Sequence, residues 1–455
     1  DGYLLNKTLL NKDNIMKKFK IFATIDYILL ICVLSLTSIG IAFIYSSAIN
    51  RDGVLTNTNY IKQIIWAVTG IIFMICLALY DYRNSERFIF WLAIFSCAVL
   101  LYTAFAGKLV KGSRSWIGIG SFGIQPSEFC KLVFILFLAW YLNNSITENP
   151  LKRFIVSCFI LCVPIGLILL QPDLGTSLVF IPIFIFMCLI AGIRLKYIFL
   201  LVGIGFFTIL FTMLPVWENE IVKKTVPAIN FLTNHRIRSL VTISITAILL
   251  IGILGMIFYK ENKLYYWISY CSTILLFSLL ASQAVAKVLK DYQLSRLIIF
   301  LNPYVDSQKA GWNIIQSKIA IGAGGFFGRG FLKGTQSHLS YLPEQGTDFI
   351  FSILCEEWGF IGGLLVFTLY LIILLRIIYI IRNTANTYGA YIATGIFGMF
   401  FFHFLENIGM VMGLMPITGI PLLFMSYGGS SLWASMMAIG IVMSVKYRKF
   451  DFMEL

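Results

Sequence analysis

Phe349–Ile381, FIFSILCEEWGFIGGLLVFTLYLIILLRIIYII, decides the fold of this chain. A helix needs about 20 consecutive apolar residues to cross a bilayer, and this run exceeds that length. Eleven further runs of the same kind flank it: Tyr27–Ser46, Ile64–Tyr80, Arg87–Phe105, Phe129–Leu142, Phe154–Leu170, Thr176–Ile193, Tyr197–Leu214, Leu240–Tyr259, Leu264–Val285, Tyr391–Leu405 and Leu432–Val445. The Phe129 run is short and borrows its first turn from the motif ahead of it. Charged residues make up 12% of the 455 positions, half the roughly 25% of soluble domains. The chain therefore reads as an all-α polytopic membrane protein whose helices pack as one bundle.

Residues 1–15, DGYLLNKTLLNKDNI, lack the form of a signal peptide, and Met16 followed by KKFK looks like a natural start. They read as disordered or as a gene-model extension. The nine cysteines all lie in apolar segments and read as small buried hydrophobes rather than a disulfide framework. Only three histidines, His235, His338 and His403, occur, in separate regions. A His-based metal site is not expected, while a carboxylate-held divalent cation stays open.

Lys and Arg in short loops mark the cytoplasmic side of a membrane protein. Lys17, Lys18 and Lys20, then Arg83 with Arg87, Lys152 with Arg153, Arg194 with Lys196, and Lys446, Arg448 and Lys449 put both termini in the cytoplasm. Alternation then places Gly107–Glu128, Gln171–Gly175, Ala286–Thr347 and Glu406–Ser431 outside, and these hold nearly all the Gly, Pro and polar irregularity. Within the long outer segment, Tyr292–Phe300 and Trp312–Ile321 show helical apolar spacing and read as amphipathic interfacial helices. Basic residues on this side, among them Arg114, Lys318 and Lys333, run against the charge rule. Either long loops escape that rule or the site binds an anion.

Four polar constellations stand out. Gly322–Phe351, GAGGFFGRGFLKGTQSHLSYLPEQGTDFIF, ends in Glu344 and Asp348 just before the decisive span. Thr347 is expected to cap a helix beginning at Asp348, with Asp348, Ser352 and Glu356 recurring on one face. A helix dipole would lower the Asp348 pKa and a neighbouring Glu344 would raise it. Such a carboxylate is either a plain cap or a general base able to take a proton from a sugar hydroxyl. The five glycines of Gly322–Gly330 lack a preceding strand, so close backbone packing suits them better than a dinucleotide motif.

In Gly118–Lys131, GIGSFGIQPSEFCK, Pro126 opens a helix on which Glu128 and Lys131 share a face. They read as a structural ion pair, as a pair lining a substrate cavity, or as both. Gln171–Thr176, QPDLGT, is a polar break with Asp173 as a turn and N-cap residue. Glu406–Ser431, ending PITGIPLLFMSYGGSS, implies non-helical backbone at membrane depth. There His403, Glu406 and Asn407 serve as polar glue between helices.

Together these stretches resemble the SEDS family of peptidoglycan polymerases, through KGSRSWIGIGSFGIQPSEFCK, QPDLGTS, YQLSRLIIFLNP, the QSKIAIGAGGFFGRGFLKGTQSHLSYLPEQGTDFIF string and NIGMVMGLMPITGIPLLFMSYGGSS. The likeness covers most of residues 22–450. QPDLGT, GTQS and NIGM look more like the elongation member than the division member. The resemblance implies a bundle of about ten core spans plus two inserted ones in a single membrane domain over 16–455, with the helix pair in 216–290 and a large outer loop over 286–347. It implies polymerisation of lipid II at the outer face of the cytoplasmic membrane, with Asp348 as the base for the acceptor hydroxyl and Glu128 and Lys131 as cavity residues. Arg114, Lys318 and Lys333 are candidates for the pyrophosphate on charge and placement alone, and Glu344 is grouped with the substrate-binding residues. Implied partners are a class B penicillin-binding protein and other elongation-complex membrane proteins, with no nucleic acid. A lipid II flippase is the alternative from another class; it would need charges through the whole depth of the bundle and inverted repeats. A non-catalytic scaffold is the third reading.

Overall fold

This computed structural model describes residues 25–448 except 111, 120–121, 224–225, 260–262, 289–295, 297, 307–309 and 340. Residues 1–15, Lys17, Lys18, Lys20, Lys449 and most of Tyr292–Phe300 lie outside the described residues. A helix stands at each of the twelve apolar runs. They are α1 (Tyr27–Ser46), α2 (Asn59–Leu79), α3 (Ile89–Ala106), α4 (Pro126–Asn144), α5 (Pro150–Leu169), α6 (Leu174–Ile190), α7 (Leu195–Trp217), α8 (His235–Phe258) and α9 (Lys263–Val288), then, after α10 (Ala310–Gly324), α11 (Ile350–Asn383), α12 (Thr387–Val411) and α13 (Gly429–Tyr447). Among the described residues ten helices are long and apolar enough to cross a membrane, and α6 is a shorter apolar helix. The chain is a multi-pass, all-α membrane protein. Trp312–Ile321, one of the two expected interfacial helices, falls within α10.

Local sequence explains the helix starts. Pro126 occupies the first position of α4 after an extended Gln125, where a missing N–H costs nothing. Asp173 caps α6 by accepting from Thr176 N at 3.2 Å, and Asn149 caps α5 by accepting from Leu151 N at 3.0 Å. The segment ahead of α4 folds as a small antiparallel sheet that periodicity does not disclose: β1 (Lys108–Val110), β2 (Ser113–Ile119) and β3 (Phe122–Ile124), in that order. The cysteines are all unpaired. Cys32, Cys130, Cys188 and Cys355 are buried as expected, but Cys76, Cys162 and Cys271 are exposed, on apolar helix faces that need no protein neighbour in a membrane.

The chain divides into two compact units, Asp1–Gly192 with Ile319–Ile408 and Gly419–Leu455, and Ile193–Lys318 with Gly409–Thr418. In the second unit α8 and α9 approach closely because Gly252 and Gly255 leave room for Ser269 and Tyr265. Small residues do the same work in the first unit, where α2 meets α13. A Cβ on Gly440 would overlap the Met74 carbonyl, and one on Gly429 the Trp66 ring. Such substitution of backbone for side chain is how helices pack tightly in lipid.

The first unit has two chemically distinct ends. At one, Asp26 before α1 meets Arg376 of α11 at 2.6 Å and Lys446 of α13 at 3.1 Å. Arg448 reaches Asp81, just past α2, at 3.1 Å, and Arg153 donates to the Leu142 and Ala191 carbonyls. At the other, Gln125 Nε2 donates to Asp173 at 2.9 Å, Gln171 Nε2 to the Leu100 carbonyl at 2.8 Å, and Tyr427 N to the Gly346 carbonyl at 2.8 Å. The Lys/Arg-rich loops and the polar motifs thus collect at opposite ends, as alternating spans require.

Candidate active site

Asp348 lies on a turn, not on a helix. The expected helix from Asp348 with Thr347 as cap is not formed: α11 begins at Ile350 with Phe349 as its N-cap residue and no acid in its first turn. Glu344 has φ +55°, and Thr347 N and Phe349 N both point back to the Glu344 carbonyl at 3.3 and 3.4 Å. The Thr347 hydroxyl donates to the Glu344 carbonyl and to its carboxylate, each at 3.2 Å. The carbonyls of Thr347 and Asp348 are engaged sideways, by Ser426 Oγ at 2.6 Å and Asn407 Nδ2 at 3.0 Å. Tertiary partners hold this turn, leaving Asp348 half-buried and Glu344 exposed.

The Gly-rich loop ahead of the turn packs backbone to backbone on α11. Gly328 has φ +79°, a region open to glycine at no steric cost, and its missing side chain faces the Glu357 carbonyl. Gly359, at φ +65°, kinks α11 where the loop crosses. Two carboxylates under that kink are fully buried. Glu356 Oε1 accepts from Thr335 N at 2.6 Å, Thr335 Oγ1 at 3.0 Å and Gln336 N at 2.9 Å. Glu357 accepts from Ser46 Oγ, and from Leu332 N at 3.0 Å. Close packing is thus the use of Gly324 and Gly328, whereas a Cβ on Gly322, Gly325 or Gly330 would meet no other backbone. Sequence reading put Glu356 on the Asp348 face and missed Glu357; an acid pair inside a span was the available signal.

Glu128 and Lys131 are joined at 2.8 Å, at 3% and 1% side-chain exposure. Lys131 Nζ also lies 3.1 Å from His403 Nε2. His403 Nδ1 is 3.0 Å from the Pro421 carbonyl. A carbonyl only accepts and an ammonium only donates, so His403 carries its proton on Nδ1 and is neutral. Three polar side chains thereby satisfy one another in a setting where an unpaired charge would be costly. Gln125, one turn away, is tied to Asp173, and its backbone N–H donates to Ser430 Oγ at 2.9 Å.

An apolar cavity of about 630 Å³ opens beside this layer, lined among others by Trp66, Phe95, Ile117, Phe129, Val133 and Trp433. Glu128 and Lys131 are not among its lining residues. The remaining candidates lie on separate elements. Arg114 is exposed on β2, with Nη1 3.4 Å from the Phe105 carbonyl. Lys333 is exposed just after Gly330. Lys318, in the second unit, is exposed and runs alongside Gly413. Among the described residues no group of three or more His, Cys, Asp or Glu side chains is arranged to hold a metal ion.

The FtsW/RodA/SpoVE family model, described as "Cell cycle protein", matches residues 26–228 and 241–450. The chain is 50% identical over 425 residues to the peptidoglycan glycosyltransferase RodA of Treponema pallidum (strain Nichols), covering 93% of this chain and 98% of that protein. It is 33% identical over 429 residues to stage V sporulation protein E of Bacillus subtilis (strain 168), covering 92% and 96%. Its fold is shared with a solved chain reported under "Structural coordination of polymerization and crosslinking by a peptidoglycan synthase complex", with TM-score 0.64, 24% identity, and coverage of 94% of this chain and 98% of that one.

Proposed function

The chain belongs to the FtsW/RodA/SpoVE family, and from that premise we propose that it is a peptidoglycan glycosyltransferase polymerising lipid II outside the cytoplasmic membrane, with Asp348 as general base. The observation that carries the assignment to this residue is the Asp348 turn, a half-buried carboxylate at the polar end of the first unit whose neighbouring carbonyls are all held. A base must be kept within hydrogen-bond reach of the proton it takes, and a turn fixed from two other segments supplies that constancy. Half identity to the Treponema RodA relative supports the elongation branch over the division branch.

The chemistry is an exchange of one C–O bond for another. The acceptor sugar hydroxyl attacks the anomeric carbon of the donor, and the bond from that carbon to the pyrophosphate oxygen breaks. The bonding pair leaves with undecaprenyl pyrophosphate, and the hydroxyl proton passes to Asp348 and then to solvent. Arg114 and Lys333 are our candidates to stabilise the departing charge, since exposed guanidinium and ammonium groups suit phosphates. The apolar cavity beside Phe129 and Trp433 suits part of a polyprenyl tail entering sideways from the membrane. In this reading the Lys/Arg-rich end and both termini face the cytoplasm. A class B penicillin-binding protein supplies crosslinking, a pairing supported by the synthase-complex relative.

The test is conversion of fluorescent lipid II by purified protein supplied with its transpeptidase partner. Wild type should yield glycan polymer and Asp348→Ala none. Polymer from both, or from neither, would remove the catalytic reading. Lipid scrambling in liposomes that survives Asp348→Ala would favour a transporter instead.

A further inference from the structure

We propose that His403 and Asn407 are positioning residues: one helix turn apart on α12, they hold the loop that fixes the Asp348 turn, and Lys131 sets the tautomer His403 needs to do so. The proposal rests on the reading of Asp348 as the base. Asn407 spends both hydrogens of its amide on carbonyls, that of Asp348 at 3.0 Å and that of Ile420 at 2.8 Å. Only the amino side of the amide can face two acceptors, which fixes its orientation. His403 takes the next carbonyl along, that of Pro421, at 3.0 Å. Two consecutive peptide groups of a non-helical segment are thus pinned by residues four apart, the spacing at which helical side chains share a face.

The same segment then grips the catalytic turn from its other edge. Ser426 Oγ accepts from Leu422 N at 2.9 Å and donates to the Thr347 carbonyl at 2.6 Å. Tyr427 N donates to the Gly346 carbonyl at 2.8 Å. Three successive carbonyls, those of Gly346, Thr347 and Asp348, are therefore held either by the segment that His403 and Asn407 anchor or by Asn407 itself. Lys131 enters because its ammonium cannot accept a hydrogen bond. At 3.1 Å from His403 Nε2 it leaves that nitrogen as acceptor and the proton on Nδ1, facing Pro421. The buried ion pair so acts on Asp348 at a distance, through a histidine and one loop.

Misplacing a catalytic group by about 1 Å costs on the order of a hundredfold in rate, whereas substrate affinity set by other residues should not move. The experiment is steady-state lipid II polymerisation by the full chain reconstituted with a class B transpeptidase, for wild type, Asn407→Asp, His403→Ala, His403→Asn and Ser426→Ala. Asn407→Asp keeps the volume and loses the donors. It should lower the maximal rate about tenfold or more with half-saturation within about twofold. His403→Ala should fall similarly, and His403→Asn, which keeps a donor for Pro421, should recover most of the loss. Should Asn407→Asp not fold, Ser426→Ala, which removes the single bond to Thr347, carries the same expectation. Rates within about threefold of wild type in Asn407→Asp or Ser426→Ala overturn the proposal. So does a loss that lies in half-saturation or merely tracks the folded fraction. An inactive wild type instead sinks the enzymatic reading, and the proposal with it.

Discussion

Lys131 Nζ sits 2.8 Å from Glu128 Oε2 and 3.1 Å from His403 Nε2, with the ion pair closed off almost completely from solvent. Breaking a buried pair by removing one partner costs about 3–5 kcal/mol, while replacing both by apolar residues of similar volume is often neutral. Glu128→Ala should therefore sharply reduce the melting temperature of the detergent-solubilised protein. Glu128→Leu with Lys131→Met should restore much of it while leaving polymerisation impaired, because His403 loses its donor. A fully active double variant would make the pair purely structural.

Where the Gly-rich loop crosses α11, Gly328 and Gly359 each combine a positive φ with backbone closer than a Cβ allows. Gly328→Ala and Gly359→Ala each force a side chain into a positive-φ position against the other segment's backbone. Each should destabilise by about 1–3 kcal/mol from backbone strain alone, read as a lowered unfolding midpoint. Gly330→Ala, at φ +102° but with only the Lys333 side chain nearby, should be milder than either.

Filling the apolar cavity tests its assignment to the lipid tail. Val133→Trp should raise the half-saturating concentration of full-length lipid II roughly tenfold, in line with the about 1–3 kcal/mol cost of overpacking. A short-prenyl analogue that does not reach the cavity should be spared. Equal effects on both substrates would place the tail elsewhere.

Asp26 anchors the basic end of the first unit. Burial raises its pKa, but the Arg376 guanidinium, the Leu29 N–H and the Lys446 ammonium together outweigh burial and hold it below the usual carboxylate value of 3.8. A depressed carboxylate stabilises the fold fully above its unfolded pKa and loses that contribution as pH falls through the folded value. The melting temperature of wild type should therefore drop below about pH 4, and Asp26→Asn should start lower at neutral pH and show a shallower acid limb. Parallel acid limbs in the two proteins would deny Asp26 that role.

Much of this architecture is legible in sequence because its causes are local. Twelve apolar runs give twelve helices, Pro126 and Asp173 mark helix starts, and the spacing of Glu128 and Lys131 gives their pairing. What escapes is set by partners remote in the chain. Thr347 followed by Asp348 and an apolar run has the look of a capped helix, yet Ser426 and Asn407 take the carbonyls and delay the helix to Ile350. The Lys131–His403 link spans 272 positions, beyond any periodicity. The sheet over Lys108–Ile124 is too short and glycine-rich for alternation to stand out. Asp348 itself stands out by motif, whereas the hydrogen bonds that fix its turn come from Asn407 and Ser426, 59 and 79 positions along the chain from the carbonyls they hold.

The most direct measurement is the rate of glycan polymerisation from lipid II by Asp348→Asn against wild type, at equal amounts of folded, partner-bound protein. Asparagine keeps the size of the side chain and cannot accept the hydroxyl proton, so a fall of about a hundredfold to ten-thousandfold is expected. A rate within about tenfold of wild type would contradict the assignment of Asp348 as the base.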